Sequence, residues 1–313
     1  MPFAVTILGN NSAIPSHERF PTAQVVTYED ELFLIDCGEG TQMQLARYKI
    51  RRNKIHHIFI SHLHGDHYFG LIGLINSFNL LQRTEPLHLY APAELESIIW
   101  RQLECAATTL HFTLHFHPLQ VPGFQLIADL PHLRISCFPT KHKILCFGFL
   151  FEEKPRHRKV IPEKAREAGV PLNFYKNLQQ GEDYVSATGK IIPNEELTLP
   201  PPQPRKYAYC ADTLYDEGLI PYIAGCDLVY HETTYLQQDL HRAIERFHST
   251  TLQAATLARK ALQDNGKLLI GHFSSRYERL EDFENECRSI FPETYLALQG
   301  ATYFVGTPWK ARM

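Results

Sequence analysis

Apolar residues gather in short runs divided by turn-forming residues, and the period of the runs changes along the chain. Phe3–Leu8 and Ala23–Tyr28 flank a segment rich in Pro, Ser and Asn, and Glu31–Asp36 (ELFLID) is a third run that stops at Cys37-Gly38-Glu39-Gly40. Each predicts a strand. Thr41–Tyr48 carries Gln, Leu and Ala at helical spacing, and His56–Ser61 (HHIFIS) predicts a buried strand. Tyr68–Gln82 has the length and the ~3.6-residue period of an amphipathic helix. Leu87–Tyr90 follows as a strand and Ala93–Cys105 as a helix, and short strand patterns return between 111 and 150. Further on, Lys206–Cys210, Leu228–His231 and Lys267–Gly271 predict strands, and Leu252–Asp264 and Arg279–Phe291 predict helices. Strand clusters alternating with helices indicate an α/β chain.

The intervening stretch, 154–204, has a different texture. It holds eight of the 20 prolines, with Pro200-Pro201-Pro202 near its end. Between 154 and 176, Lys154, Arg156, Arg158, Lys159, Lys164, Arg166 and Lys176 stand against only Glu163 and Glu167. It reads as an inserted basic arm that divides the remaining domain into 1–153 and 205–313; a solvated linker is the plain alternative for such a charge run.

Composition narrows the classes. At 44% hydrophobic and 21% charged residues, the 313-residue chain can bury a large core, which excludes wholesale disorder. No apolar run approaches the ~18 residues of a membrane span, and the start lacks the basic region of a secretory signal. A net charge of −3 means that any nucleic-acid contact must come from a local patch. Seven scattered cysteines without a CxxC pair predict free thiols in a reducing, cytoplasmic setting. Histidine is unusually abundant, with 17 residues.

Part of that histidine content is organised. Ser61-His62-Leu63-His64-Gly65-Asp66-His67 follows a predicted buried strand and precedes a predicted helix. Such a turn projects three imidazoles and a carboxylate into one small volume, where they would be costly to bury unpaired. Zn²⁺ takes neutral imidazole and carboxylate as ordinary ligands. His62 and His64 can share one ion, while Asp66 and His67 suit a second. Two ions need more ligands, and His142, Asp212 and His272 each stand where a predicted strand meets a loop. Asp212, with two oxygens, is the natural shared ligand. His111, His115 and His117 lack a carboxylate partner and read as exposed strand residues. His56 and His57 read as structural.

These residues and their spacing resemble the metallo-β-lactamase superfamily, and within it the ribonuclease Z family of tRNA 3′-processing endonucleases. Besides SHLHGDH, the resemblance rests on Asp36-Cys37-Gly38-Glu39-Gly40-Thr41, His231-Glu232-Thr233-Thr234, His248-Ser249-Thr250 and His272-Phe273-Ser274-Ser275-Arg276-Tyr277. It departs at Pro15-Ser16-His17-Glu18-Arg19-Phe20, where the family's Pro-x-Lys-x-Arg-Asn lacks its Lys and Asn. The resemblance implies an αββα sandwich with the site at one edge and a protruding arm at 154–204 that grips the tRNA elbow. It implies two Zn²⁺ per subunit, one held by His62, His64 and His142, the other by Asp66, His67 and His272, with Asp212 bridging. It also implies a homodimer acting on precursor tRNA, with no membrane partner.

The expected chemistry is hydrolysis that leaves a 3′-OH on the tRNA and a 5′-phosphate on the trailer. Asp66 would orient or deprotonate the attacking water. His248 would protonate the leaving 3′-oxygen, and Glu232 would raise its pKa and fix its tautomer. Asp36 would orient a ligand imidazole from behind. The competing expectation is a hydrolase of the same superfamily that acts on a small phosphodiester or thioester, since the fold alone does not separate the two.

Overall fold

The structure is a computed structural model and describes residues 2–120, 123–262, 265–306 and 311–312. The chain divides into two compact units: residues 1–129, 135–151 and 206–313 form the first, and 130–134 with 152–205 the second.

The first unit is built on two sheets. One has eight strands in the order Ala311–Arg312, Thr302–Phe304, Phe3–Gly9, Ala23–Tyr28, Glu31–Ile35, Ile55–Phe59, Leu87–Pro92 and Leu114–Leu119. The other has seven, in the order Thr294–Leu296, Lys267–Gly271, Leu228–Glu232, Lys206–Cys210, Phe147–Glu153, Leu133–Pro139 and Gln125–Asp129. The sheets meet through aromatic side chains: Phe59 lies 5.4 Å from Phe149 and 5.6 Å from Phe151, centroid to centroid. Two tyrosines of the second sheet also hydrogen-bond across the gap, Tyr207 to Gln24 and Tyr209 to Asp36. The outer faces are covered by helices. Leu71–Leu80 and Glu94–Cys105 pack Leu74, Phe78, Leu95 and Ile99 against Ile58, Leu87 and Leu89, and Thr251–Ala261 and Glu281–Arg288 cover Val229, Leu268 and Ile270. The result is the expected αββα sandwich.

Topology decides where chemistry gathers. Lys206–Cys210, Leu228–Glu232 and Lys267–Gly271 pair in parallel, so their C-terminal ends lie along one edge of the second sheet. Glu31–Ile35, Ile55–Phe59 and Leu87–Pro92 do the same in the first. Residues just past these ends therefore converge at one rim, where open α/β sheets place their sites.

Some sequence expectations differ from the structure. The single helix over Tyr68–Gln82 is broken into Gly65–Tyr68 and Leu71–Leu80. The cause is Gly70, whose N–H donates to the Cys37 carbonyl rather than into a helical ladder. The backbones are so close that a Cβ on Gly70 would stand 2.2 Å from the Gly38 carbonyl oxygen. The contact pins the start of the helix to the Asp36–Gly38 turn. The helix expected over Leu252–Asp264 occupies Thr251–Ala261, capped by a reciprocal Thr250–Gln253 box, and Gln263 and Asp264 lie outside the described residues.

The second unit is folded in its own right. Val160, Ala165, Val170, Leu178 and Leu197 form its apolar cluster, with Phe174 and Tyr184 packed on it. Short ladders pair Lys159–Val160 with Thr198–Leu199 and Tyr184–Val185 with Ile191–Ile192. Asn194 ties them by donating to the carbonyls of Leu178 and Glu182. Among the described residues, no helix is long and apolar enough to cross a membrane.

Gly70→Ala is expected to lower stability by ~1–3 kcal/mol, because the opposing atoms are backbone and cannot rotate away. Urea unfolding measures this; an unchanged midpoint would contradict the close packing of the two turns.

Candidate metal centre

The Ile55–Phe59 strand stops short of its predicted end, and Ile60–His64 runs as a loop into the Gly65–Tyr68 turn of helix. That loop carries His62 and His64, and the turn carries Asp66 and His67. His142 comes from the loop between Leu133–Pro139 and Phe147–Glu153, Asp212 from just past Lys206–Cys210, and His272 from just past Lys267–Gly271. Asp36 and His272 adopt left-handed backbone, with φ of 55° and 60°, which turns the chain sharply at the strand end. For residues other than glycine this is an unfavoured conformation, of the kind that concentrates at functional sites.

All seven expected ligand residues are brought together. The ligand atoms of His62, His64, His142 and Asp212 lie within 4.8 Å of one another, as do those of Asp66, His67 and His272. His64 Nδ1 is 3.1 Å from both His62 Nε2 and His142 Nε2. On the other side, His67 Nε2 is 3.3 Å from His272 Nε2, which is 3.4 Å from Asp66 Oδ2. Asp212 stands between the groups: Oδ2 is 3.6 Å from His62 Nε2 and 3.5 Å from His67 Nε2, and Oδ1 is 3.4 Å from His272 Nε2.

The surrounding hydrogen bonds fix the imidazole protons. His67 Nδ1–H donates to Asp36 Oδ2 at 2.8 Å, and His142 Nδ1–H donates to the Phe247 carbonyl at 2.9 Å. Ser61 Oγ gives its proton to Asp36, so at 3.0 Å it accepts from His62 Nδ1–H. Thr234 Oγ1 gives its proton to Glu232, so at 2.8 Å it accepts from His272 Nδ1–H. In their neutral forms these four imidazoles keep a lone pair on Nε2, and all four Nε2 atoms face the same space as the Asp66 and Asp212 carboxylates. Burial opposes charge on His67, but the Asp212, Asp66 and Asp36 carboxylates outweigh it and hold its pKa well above the usual range when no cation is present. Asp212 Oδ1 is buried and accepts no hydrogen bond. Acceptors crowded together without donors are unfavourable unless a cation occupies their focus. A metal-ligating histidine typically commits its other nitrogen in this way. The donor set therefore fits divalent metal on the chemistry of its own atoms. Burial, reinforced by the neighbouring imidazoles, holds the His62 pKa well below its usual range, keeping the ring in the neutral, ligating form.

Beside this cluster, Glu232 is completely buried, yet its carboxylate accepts from the N–H groups of Thr213, Ser249 and Thr234. It also faces His248 Nδ1 at 3.0 Å. Burial pushes the His248 pKa down, but the Glu232 carboxylate and the more distant Asp212 and Asp66 outweigh it and lift the value to about 9. A cation seated nearby would bring it back down. His248 lines a cavity of about 340 Å³ together with His64, Asp66, Asp212 and His272.

Other histidines fall elsewhere. Among the described residues, His111, His115 and His117 join no cluster of ligand type. His88, His115 and His117 stack along the first sheet, with His88 Nδ1 2.9 Å from His117 Nε2. His231 is buried and donates through Nδ1 to the Glu232 carbonyl, a bond that holds the backbone of that turn. Arg276 pairs with Asp239 at 3.0 Å, and Arg19 is buried against the carbonyls of Tyr277 and Glu278. Sequence reasoning missed the orienting groups Ser61, Tyr209 and Thr234, and the Ala13 N–H, which donates to Asp66 Oδ2 at 2.7 Å. The repeated hydroxyls flanking the histidine motifs were the available signal.

Comparison with known proteins places the chain in a family. A family profile described as "Anti-Pycsar protein Apyc1" matches residues 3–156. A protein of Bacteroides thetaiotaomicron named Ribonuclease Z is 44% identical over 94% of this chain and 93% of its own length. One of Cytophaga hutchinsonii with the same name is 44% identical over 97% of each. The chain belongs to the ribonuclease Z family. It is thereby a hydrolase of the endoribonuclease class. The crystal structure of human tRNase Z, short form, superposes with a TM-score of 0.69 at 28% identity, covering 96% of this chain and 98% of that one. The metallo-β-lactamase fold protein YhfI from Bacillus subtilis superposes with a TM-score of 0.67 at 19% identity, covering 97% and 99%, which supports the fold.

Within this site, Asp36 anchors Ser61, Tyr209 and His67 together. Asp36→Asn, which places a donor where an acceptor is needed, is expected to weaken metal retention ~10–100-fold. Competition with a chromophoric chelator measures this, with the unfolding midpoint followed in parallel. Wild-type retention in a folded variant would remove Asp36 from the account.

Proposed function

We propose that this chain removes 3′ trailers from tRNA precursors in a zinc-dependent reaction, leaving a 3′-OH on the tRNA and a 5′-phosphate on the trailer. The observation that carries the metal dependence is the convergence of four Nε2 atoms, His64 Nδ1 and two carboxylates on one space, where the buried Asp212 Oδ1 accepts no hydrogen bond. The tRNA substrate is supported by the relatives named Ribonuclease Z and by the structural likeness to human tRNase Z. His62, His64 and His142 would hold one ion, Asp66, His67 and His272 a second, and Asp212 both. The histidine-rich donor set favours zinc. When bound, such a pair supplies an acidified water as nucleophile and neutralises charge on the phosphoryl group.

The chain's own residues do the rest. The Ala13 N–H donates to Asp66 Oδ2, the oxygen that also faces His272, and so fixes the carboxylate that orients the attacking water and takes its proton. Glu232 fixes Nδ1 of His248 and favours the charged ring, leaving Nε2 to protonate the departing 3′-oxygen. Four N–H and O–H donors hold Glu232 in place, so that the acid is aimed before substrate arrives.

The stretch 154–204 serves as the tRNA-binding arm between the two halves of the catalytic domain, 1–153 and 205–313. Lys159, Lys164, Arg166 and Lys176 are exposed on it and available to phosphates. The protein acts in the cytoplasm as a homodimer.

Incubation with a trailer-bearing tRNA precursor, with and without chelator, tests the reading directly. A single cut at the trailer junction that vanishes with chelator is expected; no cut by metal-replete protein would contradict it. His248→Asn is expected to lower kcat by ~10²–10⁴-fold with KM nearly unchanged. Single-turnover rates near wild type would remove the proposed acid. Neutralising Lys159, Lys164, Arg166 and Lys176 together is expected to raise KM for precursor. It is also expected to flatten the log–log dependence on salt by about 0.7–0.9 for each phosphate that is no longer neutralised. An unaltered slope would count against the arm.

A further inference from the structure

Phe69 is a large apolar side chain in an unusual place. It is 64% exposed, immediately after the Gly65–Tyr68 turn that carries Asp66 and His67. Its ring lies directly against the Gly65 backbone: a Cβ on Gly65 would stand 2.1–2.6 Å from the ring atoms Cε2, Cζ and Cδ2. Tyr68 meets it edge-on, with centroids 5.0 Å apart at 65°. Gly65 thus makes room for an aromatic ring on the surface of the loop that bears the candidate ligands. The ring lines the same cavity as His64, Asp66 and His248, and it also borders an apolar groove formed with Ile72 and Ile98.

This placement serves no core, because most of the ring faces solvent. It does serve a nucleotide. A phosphate seated among His64, Asp66 and His248 has its attached base within reach of a flat apolar surface that begins one residue beyond Tyr68. Proteins that hold single-stranded nucleic acid use exposed aromatic rings in this way, and because every base has a π face such platforms tolerate all four.

We propose that Phe69 is a stacking platform for the nucleobase flanking the scissile phosphate, and so a positioning residue for RNA cleavage. The proposal rests on the RNA-cleaving reading given above. Stacking holds the base outside the helix and sets the phosphate in the cavity, with little preference among the four bases.

The test is a cycle of enzyme and substrate changes. Wild type, Phe69→Ala, Phe69→Leu and Phe69→Trp are compared on precursors that carry either a normal nucleotide or an abasic one on each side of the cut. On normal precursor, Phe69→Ala and Phe69→Leu are expected to lower kcat/KM by roughly 5–100-fold, and Phe69→Trp to stay within about threefold of wild type. On precursor abasic on one side of the cut, wild type is expected to fall to the level of Phe69→Ala, and the difference between them to disappear. Equal activity of Phe69→Leu and wild type, or a Phe69→Ala defect that persists undiminished on both abasic precursors, overturns the proposal. If wild type fails to cut any precursor, the RNA-cleaving reading itself has failed; if wild type cuts and Phe69→Ala cuts equally well, only the platform has failed.

Discussion

The structure depends on a cluster of acceptors that cannot satisfy one another. In their neutral forms, His62, His67, His142 and His272 each spend their one ring proton on a group behind them, and their remaining nitrogens point at two carboxylates. Without a cation this focus is electrostatically costly; a cation seated there would offset that cost. The groups behind the imidazoles therefore matter as much as the imidazoles. Had Ser61, Asp36, Phe247 O or Thr234 offered a donor instead, the tautomers would reverse and the lone pairs would point away from the centre.

The fold supplies what this arrangement requires. Seven candidate ligand residues spread between positions 62 and 272 meet because parallel strands end along common rims and because two of the turns after those ends tolerate left-handed backbone at Asp36 and His272. The turns are locked by contacts that leave no room for side chains, as where Gly70 presses on Gly38. The two sheets contribute to the same site, and Tyr209 of the second sheet hydrogen-bonds to Asp36 of the first. Core packing and metal geometry are in this way one problem: a shift between the sheets moves Asp36, and with it His67.

Much of this could be read from the sequence, and the reason is local density. SHLHGDH places four ligand-type residues close together on one turn, and no packing demand accounts for them. The distant His142, Asp212 and His272 were legible only because each follows a run of strand-forming residues. The layered α/β architecture followed from strand runs alternating with helical periods. The break at Gly70 was not legible, because Tyr68–Gln82 keeps its helical period through the interruption; the cause is the distant backbone of Gly38. Thr294–Leu296 and Thr302–Phe304 were missed because three residues carry no period. The stretch 154–204 reads as an inserted basic arm, and its own small core was not legible because its apolar residues are spaced for a small cluster rather than for long elements. The orienting roles of Ser61, Tyr209 and Thr234 depend on which atom holds a proton, and spacing carries no such information.

Acceptors gathered in this way call for a cation at their focus. Elemental analysis of protein purified without chelator, then dialysed against metal-free buffer, tests this most directly when wild type is measured beside Asp212→Ala. About two divalent ions per wild-type chain are expected, with loss of at least one in the variant and cleavage falling in step. A wild-type protein that retains no metal while cleaving RNA at full rate would contradict this.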